Sequence, residues 1–219
     1  MEELKATEMI DSDHILVREF TLAHTQASHD NRTNVVALYY AVRDKFRYDP
    51  YTIELTAEGL RASHVLELDR GWCVSKAILL AACCRAAGIP SRLGYADVRN
   101  HLSTERMRKQ MGTDVFLWHG YTSILIDGNW VKATPAFNVE LCDKFRLQPL
   151  EFDGTEDSIY HPLDLDGQRH MEYLNFRGEF TDVPLEPMAA DMHATYPHLV
   201  DTNSRGDFEQ EVAQETDAL

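Results

Sequence analysis

The chain has 219 residues, 44% of them hydrophobic, and a formal charge of −15 from 36 acidic against 21 basic side chains. That length supports one domain with a sizeable core and an appended tail rather than two full domains, and the charge repels phosphate backbones, which excludes a nucleic-acid partner and leaves room for a neutral or basic substrate. Four cysteines, two of them adjacent, make neither a disulfide framework nor a zinc-type CxxC pair, and with no run of about 18 apolar residues and no signal-peptide pattern the expectation is a soluble, cytoplasmic protein with no membrane partner.

In chain order, residues 14 to 28 read as a short helix or docked arm, so that 1–30 is expected as an N-terminal arm or helix. Asp30 or Asn31 can cap the next element, where Val35, Leu38, Tyr39, Val42 and Phe46 fall on one helical stripe that ends before Tyr48-Asp49-Pro50. Thr56 is then expected to cap a shorter helix, AEGLRASHVLEL.

The next stretch, GWCVSKAILLAACCRAAGIPSR, predicts a central helix. Val74, Ala77, Ile78, Ala81 and Cys84 follow one face, while Leu79, Leu80 and Ala82 make the other almost as apolar. Gly88 supplies a left-handed stop, and Pro90 cannot continue the helix. Cys73 therefore sits in the first turn, where unpaired backbone N–H groups and the helix dipole favour an anion and predict a lowered thiol pKa. The competing reading is plain packing, the usual role of a free cysteine. It suits Cys83 and Cys84 in mid-helix and Cys142 in a later segment better than it suits Cys73.

After Pro90 the pattern turns to strand at Leu93, Tyr95 and Val98, followed by a basic excursion or helix in RNHLSTERMRKQMGTD. Next, VFLWHGYTSILI and WVKAT flank Asp127-Gly128, a favoured two-residue hairpin turn. Pairing Ile126 with Asn129 sets Tyr121 against Thr134 and makes His119, at the beginning of its strand, and Thr134 diagonal neighbours on one face. A cysteine at a helix start and a histidine on a later strand are what a thiol acyl-transfer site needs: one group attacks and the other manages protons.

Together, ASHVLELDRGWCVSKAILLAACCRAAGIPSR and HGYTSILIDGNWVKATPAFN resemble the transglutaminase-like superfamily, a branch of the papain-like cysteine enzymes, in its bacterial-type form. The shared pattern is a Gly-x-Cys helix start, a GIP turn, a His strand and a polar third position on the next strand, over roughly residues 35 to 138. The resemblance implies an α+β fold, with the Cys-bearing helix packed on an antiparallel sheet, Cys73 as nucleophile and His119 as base. Where the family usually has Asp-Pro, this chain has Thr134-Pro135. Thr134 orients an imidazole only through a hydroxyl, and Asn138 is the alternative orienter.

The function expected is attack on an amide or isopeptide carbonyl of a peptide, protein or small amide through a Cys thioester. Hydrolysis, as in a protease or amidase, is favoured over amine transfer by an acyltransferase, and no cofactor or metal is required. Oxyanion donors are expected at the Cys73 N–H and the Trp72 indole. The alternative is a non-catalytic protein-binding module on the same fold. A weaker rival is a metal hydrolase built on His161, Asp164 and His170, although DLDG lacks the spacing of a calcium loop. Residues 139–219 give weaker signals: a short helix, a polar cleft rim up to Phe180, and an acidic, flexible tail over 201–219 that leaves 31–200 as the domain.

Overall fold

The computed structural model describes residues 1–100, 103–159, 163, 165–167, 170–200 and 206–216. His161 and Asp164, two members of the expected metal rival, lie outside the described residues. No metal-holding cluster of His, Cys, Asp or Glu occurs among the described residues, and no described helix is long and apolar enough to cross a membrane.

Two helices open the chain: α1 (Ile15–His24), and α2 (Asn31–Lys45), whose first turn is capped by the Asp30 carboxylate accepting the Thr33 N–H at 2.8 Å. All five residues of the expected α2 stripe are buried. The next helix, α3 (Ala62–Leu68), starts later than expected. Thr56 Oγ1 accepts the Gly59 N–H at 3.0 Å instead, so its hydroxyl closes an isolated turn and Arg61 occupies the cap position. Strands β1 (Arg47–Tyr48) and β2 (Arg70–Gly71) form a short parallel pair that clamps the loop in front of Cys73.

The central helix, α4 (Cys73–Ala86), is buried from Cys73 to Arg85, as a helix apolar on all sides must be. Gly88, at φ +77°, ends it, with the Ile89 N–H returning to the Cys84 carbonyl at 2.8 Å. Its buried Lys76 donates to the carbonyls of Arg43, Phe46 and Ala136 at 2.9, 2.6 and 2.7 Å. One ammonium thus ties the end of α2 to the loop beyond the hairpin, while burial pushes its pKa down to about 7.

One face of α4 carries α1, α2 and α3 and another packs on an antiparallel sheet in the order β5 (Asn129–Ala133), β4 (Val115–Ile126), β3 (Ser91–Asn100), β6 (Met171–Phe180). The fold is therefore α+β with the cysteine helix on an antiparallel sheet. Asp127 and Gly128 take φ of +50° and +84° in the hairpin turn, and Ile126 pairs with Asn129. The basic stretch contains α5 (Glu105–Met111), and Asn138 caps the backbone start of α6 (Val139–Phe145). In the stretch expected as a polar rim, Met171–Phe180 forms an edge strand, followed by α7 (Leu185–Thr195) and α8 (Pro197–Val200). Within the acidic tail, α9 (Phe208–Thr216) is helical and docked against α6.

Candidate active site

Cys73 is held from both sides of the helix start. The Trp72 N–H donates to Ser75 Oγ at 3.0 Å, a capping-box bond that fixes the first turn. A Cβ on Gly71 would stand 2.6 Å from that same oxygen, so glycine is needed there. Cys73 itself is 7% exposed, and burial raises its thiol to about 11. The N–H groups of Gly120, Val74 and Cys73 point at the sulfur and pull the other way, but they do not outweigh the lost hydration of a thiolate. The sequence expectation of a lowered pKa is thus reversed in this closed arrangement, although Cys73 remains below Cys83 and Cys142, both pushed up to about 12.

His119 reaches this corner because its neighbour is bare. A Cβ on Gly120 would lie 2.9 Å from Val74 Cα and 3.4 Å from the Cys73 carbonyl oxygen, so β4 can rest on the first turn of α4 only through glycine. His119 lies inside β4 rather than at its beginning. Just before it the ladder with β3 slips: Ala96 pairs with His119 but Val98 with Phe116, so Leu117 and Trp118 oppose Asp97 alone, which is a β-bulge. Trp118 takes φ +60° there, an uncommon backbone state for a bulky residue. Asp97 accepts the Trp118 N–H at 3.2 Å and the Arg177 Nε–H at 2.5 Å. Asp191 accepts the Trp118 indole N–H at 2.9 Å and an Arg177 N–H at 2.6 Å, and the guanidinium stacks on the indole at 4.4 Å. The bulge beside His119 is therefore fixed by Asp97 and Asp191, which between them accept both N–H groups of Trp118.

His119 is 5% exposed, and burial alone lowers its pKa to about 4. Its Nε2 makes no hydrogen bond, to Cys73, Thr134 or any other group. Thr134 nonetheless shares its surroundings: His119, Thr134, Ala136, Phe137, Ile159 and Met171 line one small pocket. The Thr134 backbone is pinned by Ser158 (N–H to carbonyl, 2.9 Å) and by the Tyr39 hydroxyl at 3.3 Å. Asn138 is not brought to the imidazole. Its Oδ1 accepts the Tyr48 N–H at 3.0 Å and its Nδ2 donates to Glu140 at 2.8 Å, so both ends of the alternative orienter are spent elsewhere. The Trp72 indole N–H is buried without a partner, an unspent donor next to the cysteine.

Sequence reasoning missed the role of several residues here. Tyr173, on β6, sets its ring edge-on to His119 with centroids 6.1 Å apart, and its hydroxyl donates to the Ile159 carbonyl beside the Thr134 hydroxyl. Burial raises the phenols of Tyr48, Tyr95 and Tyr173, and a neighbouring Cys73 raises each further, which puts all three around the thiol. Asp97 and Arg177, eighty positions apart, leave no local signature. Tyr48 was legible only as the end of a helix.

The family model of the transglutaminase-like superfamily matches residues 18–135. No curated protein matches the chain. Among solved structures it is similar to a candidate cysteine protease from Cytophaga hutchinsonii at 18% identity, over 80% of this chain and 53% of that one, with a TM-score of 0.44. It is also similar to a candidate protease from Parabacteroides distasonis at 20% identity, over 57% of this chain and 25% of that one, with a TM-score of 0.38. The chain spans about half the length of the first and a quarter of the second.

Proposed function

Because the chain belongs to the transglutaminase-like superfamily, we propose that it is a cysteine enzyme which opens an amide or isopeptide carbonyl through a Cys73 thioester and releases it by hydrolysis. The observation that carries this reading is the bare contact of Gly120 with Val74, which seats the strand of His119 on the helix start of Cys73. Sγ of Cys73 bonds to the carbonyl carbon as His119 takes the thiol proton. The oxyanion is met by N–H groups at the helix start and by the free Trp72 indole N–H. Collapse of the adduct expels the amine, which receives the proton from His119, and water then cleaves the thioester with the imidazole as base. Thr134 serves as the neutral third residue, within the pocket it shares with the imidazole.

With a thiol near 11 and an imidazole near 4, the resting pair is neutral at pH 7. Substrate docking must therefore drive the proton transfer that the closed site opposes. Turnover of a peptide and amide panel tests the assignment: Cys73→Ala is expected to abolish it and His119→Ala to lower kcat by about 10²- to 10⁴-fold, both folding as wild type. Undiminished turnover in either variant would sink it. One observation favours the second reading, a binding module: Nε2 of the imidazole has no hydrogen-bonded orienter. Background turnover in both wild type and Thr134→Asp would select that reading.

A further inference from the structure

We propose that the groove holding α9 is the peptide-binding surface of the Cys73 site, and that it takes acidic polypeptide segments with an aromatic anchor. The C-terminal helix of the chain is then its occupant in cis. The inference deepens the proposed function and rests on it.

In a chain of net charge −15, cations gather around this helix. Glu209 meets Lys144 at 2.6 Å and Arg47 at 3.7 Å, Glu211 meets Arg106 at 3.1 Å and accepts the Tyr51 hydroxyl at 2.5 Å, and Glu215 accepts the Glu105 N–H at 2.8 Å with Arg108 at 3.8 Å. Between them Phe208 and Val212 are buried with Leu141 on an aromatic floor, the Phe208 ring lying 5.7 Å from Tyr48 and 5.9 Å from Tyr51. Three separate elements, β1 with its following turn, α5 and α6, thus supply one basic rim and one apolar floor. This is the form of a surface that recognises an amphipathic acidic helix.

The floor is continuous with the site. Tyr48 touches Phe208 on one side, and on the other its strand pairs with Gly71, two residues before Cys73. Phe137 packs edge-on against Tyr48 at 4.7 Å and also lines the pocket of His119 and Thr134. A segment lying in the groove therefore runs along the wall behind which the thiol sits. The cis occupant is also exchangeable. The basic members of its ion pairs are reached by solvent, and pairs open to water on one side contribute about 1 kcal/mol each. Among its described side chains, Phe208 and Val212 are the buried apolar anchors.

The test uses the full chain with the double substitution Phe208→Ala, Glu211→Gln, and a fluorescent synthetic peptide covering residues 206–216. Anisotropy is expected to give at least about tenfold tighter binding to the variant than to wild type, where the tethered helix competes at high effective concentration. Binding should weaken as salt rises and vanish for a peptide whose phenylalanine is alanine. Iodoacetamide should label Cys73 faster in the variant than in wild type, and added peptide should slow it again. If the double variant does not fold, Arg106→Gln with Lys144→Gln weakens the same contacts from the groove side: Cys73 is then expected to label faster, while the added peptide binds no tighter than to wild type, and unchanged labelling overturns the proposal.

No binding to a folded variant, or binding indifferent to salt and to the phenylalanine, overturns the proposal. So does a wild-type dimer in sedimentation that the double variant lacks, which would make the groove a self-association site. Peptide binding to the Cys73→Ala chain separates this from failure of the enzyme reading, because the groove does not need the thiol.

Discussion

His119 is a neutral imidazole enclosed by apolar and aromatic groups, and its pH behaviour follows from that. Its folded pKa, lowered to about 4 by burial, lies below the unfolded value, so between the two the unfolded chain binds a proton that the native state refuses. Stability is then fully present above about pH 6.5 and is lost as pH falls from there through about 4. The contribution is on the order of 3 kcal/mol. Urea unfolding of wild type and His119→Gln at pH 7 and pH 4.5 checks it: the wild type should lose more stability on acidification, because the variant has no group there to protonate. Equal losses would place the imidazole in water. The residue scale also explains why the type of site could be read from the sequence but its protonation could not. Cys73 is marked by its place before an apolar helix, whereas the raised thiol comes from burial, and burial is set by parts of the chain that no spacing ties to it.

Between elements, the contact that matters is α4 against β4. Gly120 faces Val74 Cα, backbone rather than a movable side chain, at 2.9 Å from where a Cβ would stand. Gly120→Ala must therefore push the strand off the helix instead of turning a rotamer, at a cost of about 1–3 kcal/mol. The displacement falls on the pair Cys73 and His119. The variant should unfold at lower urea and lose turnover well beyond its loss of folded fraction at 25 °C, which circular dichroism and activity measured on one sample would reveal. Full specific activity in the folded fraction would mean that the seating of β4 is slack. The hairpin holding this strand was legible down to its register, since Asp127-Gly128 fixes the turn and alternation fixes the faces. Edge strand β6 was not. Leu174 and Phe176 are exposed on it while Tyr173 turns in toward His119, and its pairing with β3 slips twice, so the period-2 signal is broken in the sequence itself.

At the scale of the whole molecule, the sequence suggested an arm over residues 1–30 beside a domain over 31–200, and we propose that the two unfold together. Met9 and Ile10 are buried in the main core, and Asp11 accepts both the backbone N–H and the hydroxyl of Ser63 at the start of α3. Arg85, at the end of α4, joins two distant stretches to the nearby start of β3: its guanidinium donates to the Lys5 carbonyl at 2.6 Å, to the Ser91 carbonyl at 2.9 Å and to the Thr181 carbonyl at 2.7 Å. Both terminal nitrogens of this sheltered charge are used, although its Nε is buried without a partner, and replacing it strands three carbonyls at once. Arg85→Leu should thus cost about 2–4 kcal/mol and lower the midpoint of thermal unfolding by roughly 10 °C. Under the cooperative reading, calorimetry of the variant shows one shifted transition, because the first segment, the start of β3 and the residue that follows β6 all lose the same anchor on the central helix. An early minor transition with the main midpoint unmoved would instead make the N-terminal segment a separate unit.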